Sequence, residues 1–295
     1  MAQATANGIE LEYEEIGDPD DPVLLLIMGL GAQMVSWDDD LVHGLADAGH
    51  RVVRFDNRDA GLSATFEGGD DPMAGIMTML SGGEIDAPYT LWDMADDAAG
   101  LLDTLGIESA HVMGASMGGM IAQSLAIAHP QRVRSLTSVM STTGEPDVGW
   151  PDPSALESLL QPTPTERSAA IEHGVAVTRV LVNGPYFDEA RARRLCERVY
   201  DRAFNPAGVM RQLLAIMASG DRAEGLAALE VDTLVIHGDA DPLVGVSGGR
   251  RTHELVAGSE LMILDDVGHA MPEPFFAPII EAVSANARRS AREVA

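Results

Sequence analysis

The stretch His111-Val112-Met113-Gly114-Ala115-Ser116-Met117-Gly118-Gly119-Met120 sets a short apolar run, a Gly-x-Ser-x-Gly pattern and a second apolar run end to end. A strand that passes straight into a helix has to turn sharply, and the residue at the turn takes a backbone conformation that costs free energy. Small neighbours are then required so that strand and helix can approach without collision, and Gly114, Gly118 and Gly119 meet that demand. The spacing predicts an elbow with Ser116 exposed above a sheet. The backbone N–H of Met117 then lies at the positive end of the following helix, aimed at a developing oxyanion. The five-residue pattern recurs by chance wherever glycine is common, so the rest of the chain has to decide.

The continuous apolar run 23–28 reads as a central strand covered on both faces, and it ends in Gly29-Leu30-Gly31. Ahead of it, residues 10–16 alternate like an exposed antiparallel strand before the turn Asp18-Pro19-Asp20-Asp21-Pro22. Ser36 is placed to cap a helix over 37–48, and 51–55 is a further strand leading into Asp56-Asn57-Arg58-Asp59-Ala60-Gly61-Leu62-Ser63. The connection 66–88, with Met73, Met77 and Met79, is long enough to be functional or mobile. Its methionines suit either adaptable contact with apolar ligands or core packing. Thr90 caps a predicted helix to 105 with Leu91, Met94, Ala98, Leu101, Leu102 and Leu105 on one face.

Strands follow at 133–140, 233–238 and 260–264, with a last helix over 275–292. From Thr143 the pattern changes to prolines (Pro146, Pro151, Pro153, Pro162, Pro164) and amphipathic helices over 165–182, 188–202 and 206–219. The alternation predicts an α/β fold with a mostly parallel central sheet, helices on both faces and an inserted helical cap. On this reading residues 1–142 and 226–295 form the core and 143–225 the cap.

Charge excludes several function classes. Asp and Glu number 46 against 19 basic residues, every one an arginine because the chain has no lysine, for a formal net charge of −27. Such a field repels nucleic acid, anionic membrane surfaces and polyanionic substrates. The acidic clusters at 18–21, 38–40 and 70–71 have no histidine in ligand spacing, so they read as solvated charge and no metal is expected. Adaptation to salt accounts for the acidity and the missing lysine, and high-GC codon usage accounts for the latter equally well. Neither an apolar run of about 18 residues nor a basic, hydrophobic leader is present, which points to a soluble, cytoplasmic chain, monomer or homodimer. The single cysteine, Cys196, agrees with a reducing compartment.

A serine hydroxyl is a weak nucleophile until a histidine takes its proton and an acid holds that histidine in the right tautomer. Asp241, in Gly238-Asp239-Ala240-Asp241-Pro242, and His269, in Gly268-His269-Ala270, each follow a predicted strand. Ser116, Asp241 and His269 are therefore expected to meet at the carboxyl edge of the sheet, where open α/β folds build their sites. Asp239 and Glu145 are rival acids, whereas Asp265 and Asp266 stand too close along the chain to orient His269 from behind. His129 reads as a helix end, His111 as a strand start and His237 as a neighbour of the acid loop. His43, His50, His173 and His253 lie in helical or turn contexts. The second oxyanion donor is expected to be the Leu30 N–H, in a turn that Gly29 and Gly31 permit. Arg58 and Asp59 are expected to pin that region through hydrogen bonds.

With Met28-Gly29-Leu30-Gly31, the 56–63 run, Gly114-Ala115-Ser116-Met117-Gly118-Gly119, Asp241-Pro242 and Gly268-His269-Ala270-Met271-Pro272, the chain resembles the α/β-hydrolase superfamily. Within it, the Met-Gly start of the oxyanion loop and the His-Ala-x-Pro ending are similar to aclacinomycin methylesterase and related actinobacterial esterases and lipases. The resemblance implies a carboxylic ester hydrolase with a Ser-His-Asp triad, no cofactor and a small-molecule ester as substrate. Met28 stands where many members carry histidine. Two alternatives share the fold: a carbon–carbon bond hydrolase of the meta-cleavage type, whose elbow is similar, and a small-molecule receptor with little or no turnover.

Overall fold

In a computed structural model, which describes residues 1–69, 74, 75, 77, 78, 81, 83–182 and 184–290, the apolar run is a strand buried along its whole length. The strands are β1 (Ala2–Ala6), β2 (Ile9–Ile16), β3 (Val23–Ile27), β4 (Arg51–Phe55), β5 (Ala110–Ala115), β6 (Val133–Val139), β7 (Asp232–Gly238) and β8 (Glu260–Leu264). They form one eight-stranded sheet in the order β1-β2-β4-β3-β5-β6-β7-β8. β1 and β2 pair antiparallel, as do β2 and β4, and every later pair is parallel.

Successive side chains of a strand point to opposite faces, so β3 feeds two cores. Leu25 and Ile27 pack with Met94, Leu101, Ile121 and Leu125 on one face. Leu24 and Leu26 pack with Trp37, Leu41, Leu45, Ile279 and Val283 on the other. The first face is covered by α2 (Leu91–Thr104) and α3 (Met117–Ala128), the second by α1 (Asp39–Asp47) and α10 (Phe276–Ser290), while α9 (Ser247–Leu255) links β7 to β8. Thr90 caps α2 through a capping box with Asp93. The cap of α1 is Asp38, whose side chain accepts from the Asp40 N–H, rather than Ser36. Ser36 ends a short 3-10 turn (Met34–Ser36) instead, so α1 begins later than its hydrophobic pattern suggests. β1 was not predicted: AQATA is too short and weakly apolar to show a period, and it is ordered by pairing along β2.

Between β6 and β7 the described residues hold α4 (Pro153–Leu160), α5 (Arg167–Val182), α6 (Glu189–Arg202), α7 (Pro206–Ala218) and α8 (Ala223–Ala227), with no strand. α4 and α8 are additions to the three helices expected there. In the long connection, Met73 and Met79 lie outside the described residues, and Met77 is exposed. No helix among the described residues is long and apolar enough to cross a membrane.

The strand order reverses between β3 and β5, so the chain leaves their carboxyl ends in opposite directions and a crevice opens there. The loop over residues 28–31 and the Gly-x-Ser-x-Gly turn stand on its two sides.

Candidate active site

Ser116 lies at φ 57°, ψ −121°, in the half of backbone space that favours glycine. That conformation costs about 1–3 kcal/mol and persists only where the surroundings over-determine it. Here the Ser116 N–H donates to the Val139 carbonyl at 2.8 Å, and the Ser116 carbonyl accepts from Ser141 Oγ and the Gly119 N–H, both at 2.9 Å. A Cβ on Gly114 would strike the Gly118 carbonyl, and one on Gly118 would strike the carbonyls of Ile27 and Met28. Gly114 and Gly118 are thus demanded by backbone meeting backbone, and Gly119 by the Ser141 side chain.

A Cβ placed on Gly29 would stand 3.1 Å from Ser116 Cβ and 3.7 Å from its Oγ, which puts the 28–31 loop directly against the serine. In that loop the Gly31 N–H donates to Gln212 Oε1 at 2.7 Å and the Ala32 N–H to the Gly29 carbonyl at 3.2 Å. Leu30 N–H is left without an acceptor among the described residues, as is Met117 N–H at the start of α3. The loop is fastened from the core side as well: Asn57 Nδ2 donates to the Met28 carbonyl at 2.8 Å, and Asp56 Oδ1 accepts from the Met34 N–H at 2.7 Å.

Asp241 Oδ2 accepts from His269 Nδ1 at 2.7 Å, while Oδ1 accepts from the N–H groups of Leu243 and Val244, both at 2.9 Å. The carboxylate is fully buried, and the imidazole keeps a 10% exposed edge. The rival acids are otherwise engaged. Asp239 Oδ1 accepts from the Asp266 N–H at 2.8 Å. Glu145 is bound by Arg251 through two bonds of 2.9 and 3.0 Å, and that guanidinium holds its carboxyl below the usual range. No hydrogen bond joins Ser116 Oγ to His269; such contacts are often long without substrate and tighten in the Michaelis complex.

His237 lies under the acid, fully buried, with Nε2 donating to the Val244 carbonyl at 2.7 Å and standing 3.5 Å from Asp241 Oδ2. Burial pushes its pKa down, so it stays neutral and leaves the carboxylate charge to His269.

The alpha/beta hydrolase fold family matches residues 22–274. The chain belongs to that family. Rhodomycin D methylesterase DauP of Streptomyces sp. (strain C5) is 30% identical over 96% of this chain and 97% of its own length. A 2-hydroxymuconate semialdehyde hydrolase of Pseudomonas sp. (strain CF600) is 32% identical, over 62% of this chain and 64% of its own. Among solved structures, the enol-lactonase from Burkholderia xenovorans LB400 superimposes with a TM-score of 0.77 at 23% identity, over 97% of this chain and all of that one. This α/β hydrolase is an enzyme of the esterase type.

In this hydrolase, Arg58 and Asp59 pin structure, as expected. Arg58 makes a bidentate pair with buried Asp97 at 2.6 and 2.7 Å. Asp59 takes Arg211 at 2.9 and 2.7 Å and the Tyr89 hydroxyl at 2.7 Å. Sequence reasoning missed the partners these loops find in the 143–225 segment. Gln212 bonds Gly31, Arg202 bonds Asp56 at 2.6 Å, and the Leu181 carbonyl accepts from the His269 N–H at 2.7 Å. Nothing in the local pattern marks them, because each becomes a partner only when helices distant in sequence come down on the sheet edge.

Proposed function

We propose that the protein is a serine carboxylesterase in which Ser116 attacks an ester carbonyl, with His269 as base and Asp241 as its orienting acid. The hydrogen bond from His269 Nδ1 to Asp241 Oδ2, at the sheet edge that carries the strained Ser116, is the observation that carries this reading. With its Nδ1 proton committed to Asp241, the imidazole offers Nε2 as the lone pair that takes the Ser116 proton. As the Ser116 Oγ–carbonyl bond forms, negative charge moves to the carbonyl oxygen, where Leu30 and Met117 N–H donate. Collapse breaks the C–O bond to the leaving alcohol, which takes the proton from His269. A water then loses a proton to His269, adds to the acyl-enzyme and releases the free acid as the proton returns to Ser116.

The described helices between β6 and β7 form the cover of an apolar pocket on this reading. Its substrates are small to medium, largely apolar esters, with short or medium acyl chains or a bulky apolar alcohol portion. Neutral substrates suit a chain of net charge −27. Likeness to a methylesterase along nearly the whole chain supports methyl esters as a further class. The meta-cleavage reading draws on a likeness of shorter extent.

A panel of p-nitrophenyl esters of graded chain length and of methyl esters, assayed with wild type and Ser116→Ala, tests the assignment. Ser116→Ala is expected to lower kcat by ~10⁴-fold or more. Turnover retained in that variant refutes the nucleophile. A wild type inert to every ester, yet active on a dienoate ring-cleavage product, favours carbon–carbon hydrolysis.

A further inference from the structure

We propose that Gln212, in α7, is a positioning residue for the oxyanion hole, so that the cap sets the rate of acyl transfer as well as the shape of the pocket. The inference rests on the roles proposed above for Ser116, Leu30 and Met117.

Gln212 is fully buried, and both ends of its amide are used: Oε1 accepts from the Gly31 N–H at 2.7 Å and Nε2 donates to the Arg58 carbonyl at 2.7 Å. A buried amide with one end unsatisfied would cost free energy, so the side chain is committed to this bridge. Its contact with Gly31 spans 181 residues of sequence.

The bridge falls at a sensitive place. Leu30 N–H belongs to the peptide unit that links Gly29 to Leu30. The unit before it is held where Asn57 bonds the Met28 carbonyl, and the unit after it is held where Gln212 bonds the Gly31 N–H. Gly31 sits at φ 67°, and a Cβ there would run into Val209 of the same cap helix, so the loop has little room to swing toward α7. The Leu30 N–H unit is itself closed into a turn by the Ala32 N–H on the Gly29 carbonyl at 3.2 Å, and with both flanking units tethered as well, the direction in which that turn presents Leu30 N–H is set by the core on one side and by the cap on the other. Preorganised donors lower a barrier because they need no reorientation as charge develops.

α7 is itself fastened at this point. Arg211 binds the buried Asp59 carboxylate by two bonds, and Asn205 Nδ2 donates to the Asp59 carbonyl at 3.1 Å. The helix therefore acts as a strut on the oxyanion loop, and it cannot lift from the core without releasing Gly31.

The test compares Gln212→Met and Gln212→Glu with wild type, with rates expressed per site titrated by a fluorophosphonate so that poorly folded protein drops out. Methionine is of similar length but makes neither bond. Its kcat is expected to fall ~10–100-fold while KM moves less than about threefold. Affinity for a trifluoromethyl ketone, which forms a tetrahedral adduct, should fall by the same factor as kcat/KM.

A protonated glutamic acid restores both bonds, accepting through one oxygen and donating through the other. Burial raises the pKa of such a carboxyl. The ratio of kcat in Gln212→Glu to that of wild type is then expected near one at low pH, falling as pH rises through that titration. Unaltered kcat per titrated site in Gln212→Met, a change confined to KM, or a Gln212→Glu ratio that stays far below one at low pH overturns the inference while labelled Ser116 keeps the esterase reading alive, whereas a ratio near one throughout the pH range means that the buried carboxyl stays protonated and supports it. A wild type whose Ser116 takes no fluorophosphonate overturns both.

Discussion

Replacing Asp241 by asparagine changes the chemistry of one atom in the proposed relay and almost nothing of its shape. The N–H groups of Leu243 and Val244, both 2.9 Å from Oδ1, require an oxygen on that side, so the new amide nitrogen faces His269 at the position now 2.7 Å from Nδ1. An amide NH2 only donates, which forces His269 to put its lone pair on Nδ1 and its proton on Nε2, the nitrogen that has to accept from Ser116. The wrong tautomer in this arrangement costs ~10⁴ in kcat, about 5.4 kcal/mol of transition-state stabilisation. The variant keeps its fold, because the two backbone bonds survive and the substitution is isosteric. The assay is kcat on a p-nitrophenyl ester per fluorophosphonate-titrated site, with circular dichroism and Tm as controls. Asp239→Asn, whose amide oxygen can still accept from Asp266 N–H, is expected within about threefold of wild type. A kcat for Asp241→Asn within tenfold of wild type, with native fold intact, refutes the tautomer argument and with it the acid assignment.

Two further outcomes follow from the same geometry. Gly118→Ala sets a Cβ against the backbone carbonyls of Ile27 and Met28, which cannot move aside as a flexible side chain would, so urea unfolding should show a loss of roughly 2–4 kcal/mol; an unchanged midpoint contradicts the close approach. Burial pushes the pKa of His111, whose Nδ1 lies 2.9 Å from Ser135 Oγ, down from 6.5 to about 4. Over that interval the unfolded chain binds more protons than the folded one, so stability falls as pH drops through it and levels off below. His50 and His237, also pushed down by burial, act with the same sign. His111→Gln should flatten the dependence of the urea midpoint on pH between 7 and 4.5, and an unaltered slope counts against it.

How far the chain could be read depended on the range of each interaction. The fully buried β3, the alternation of strand and helix, and the glycines of the elbow all follow from patterns a few residues long, because side-chain period and backbone crowding are local. β1 escaped notice because its order comes from β2, not from its own apolar content. The start of α1 is not legible from local sequence because two acceptable capping residues, Ser36 and Asp38, stand on the same short turn, and Asp38 takes the cap.

Composition, periodicity and motif spacing were thus sufficient to determine a mostly parallel α/β sheet with a helical insertion, and to mark Asp241 and His269 as residues on loops that follow its strands. Tertiary structure alone decided that Asp241 rather than Asp239 faces His269, since the two lie on one turn and differ only in direction. It also decided that Gln212, Arg202 and the Leu181 carbonyl reach the loops of the site. A glutamine on an amphipathic helix looks solvent-facing in sequence. It becomes a strut only when burial strips away water and leaves a backbone N–H and a carbonyl as its remaining partners.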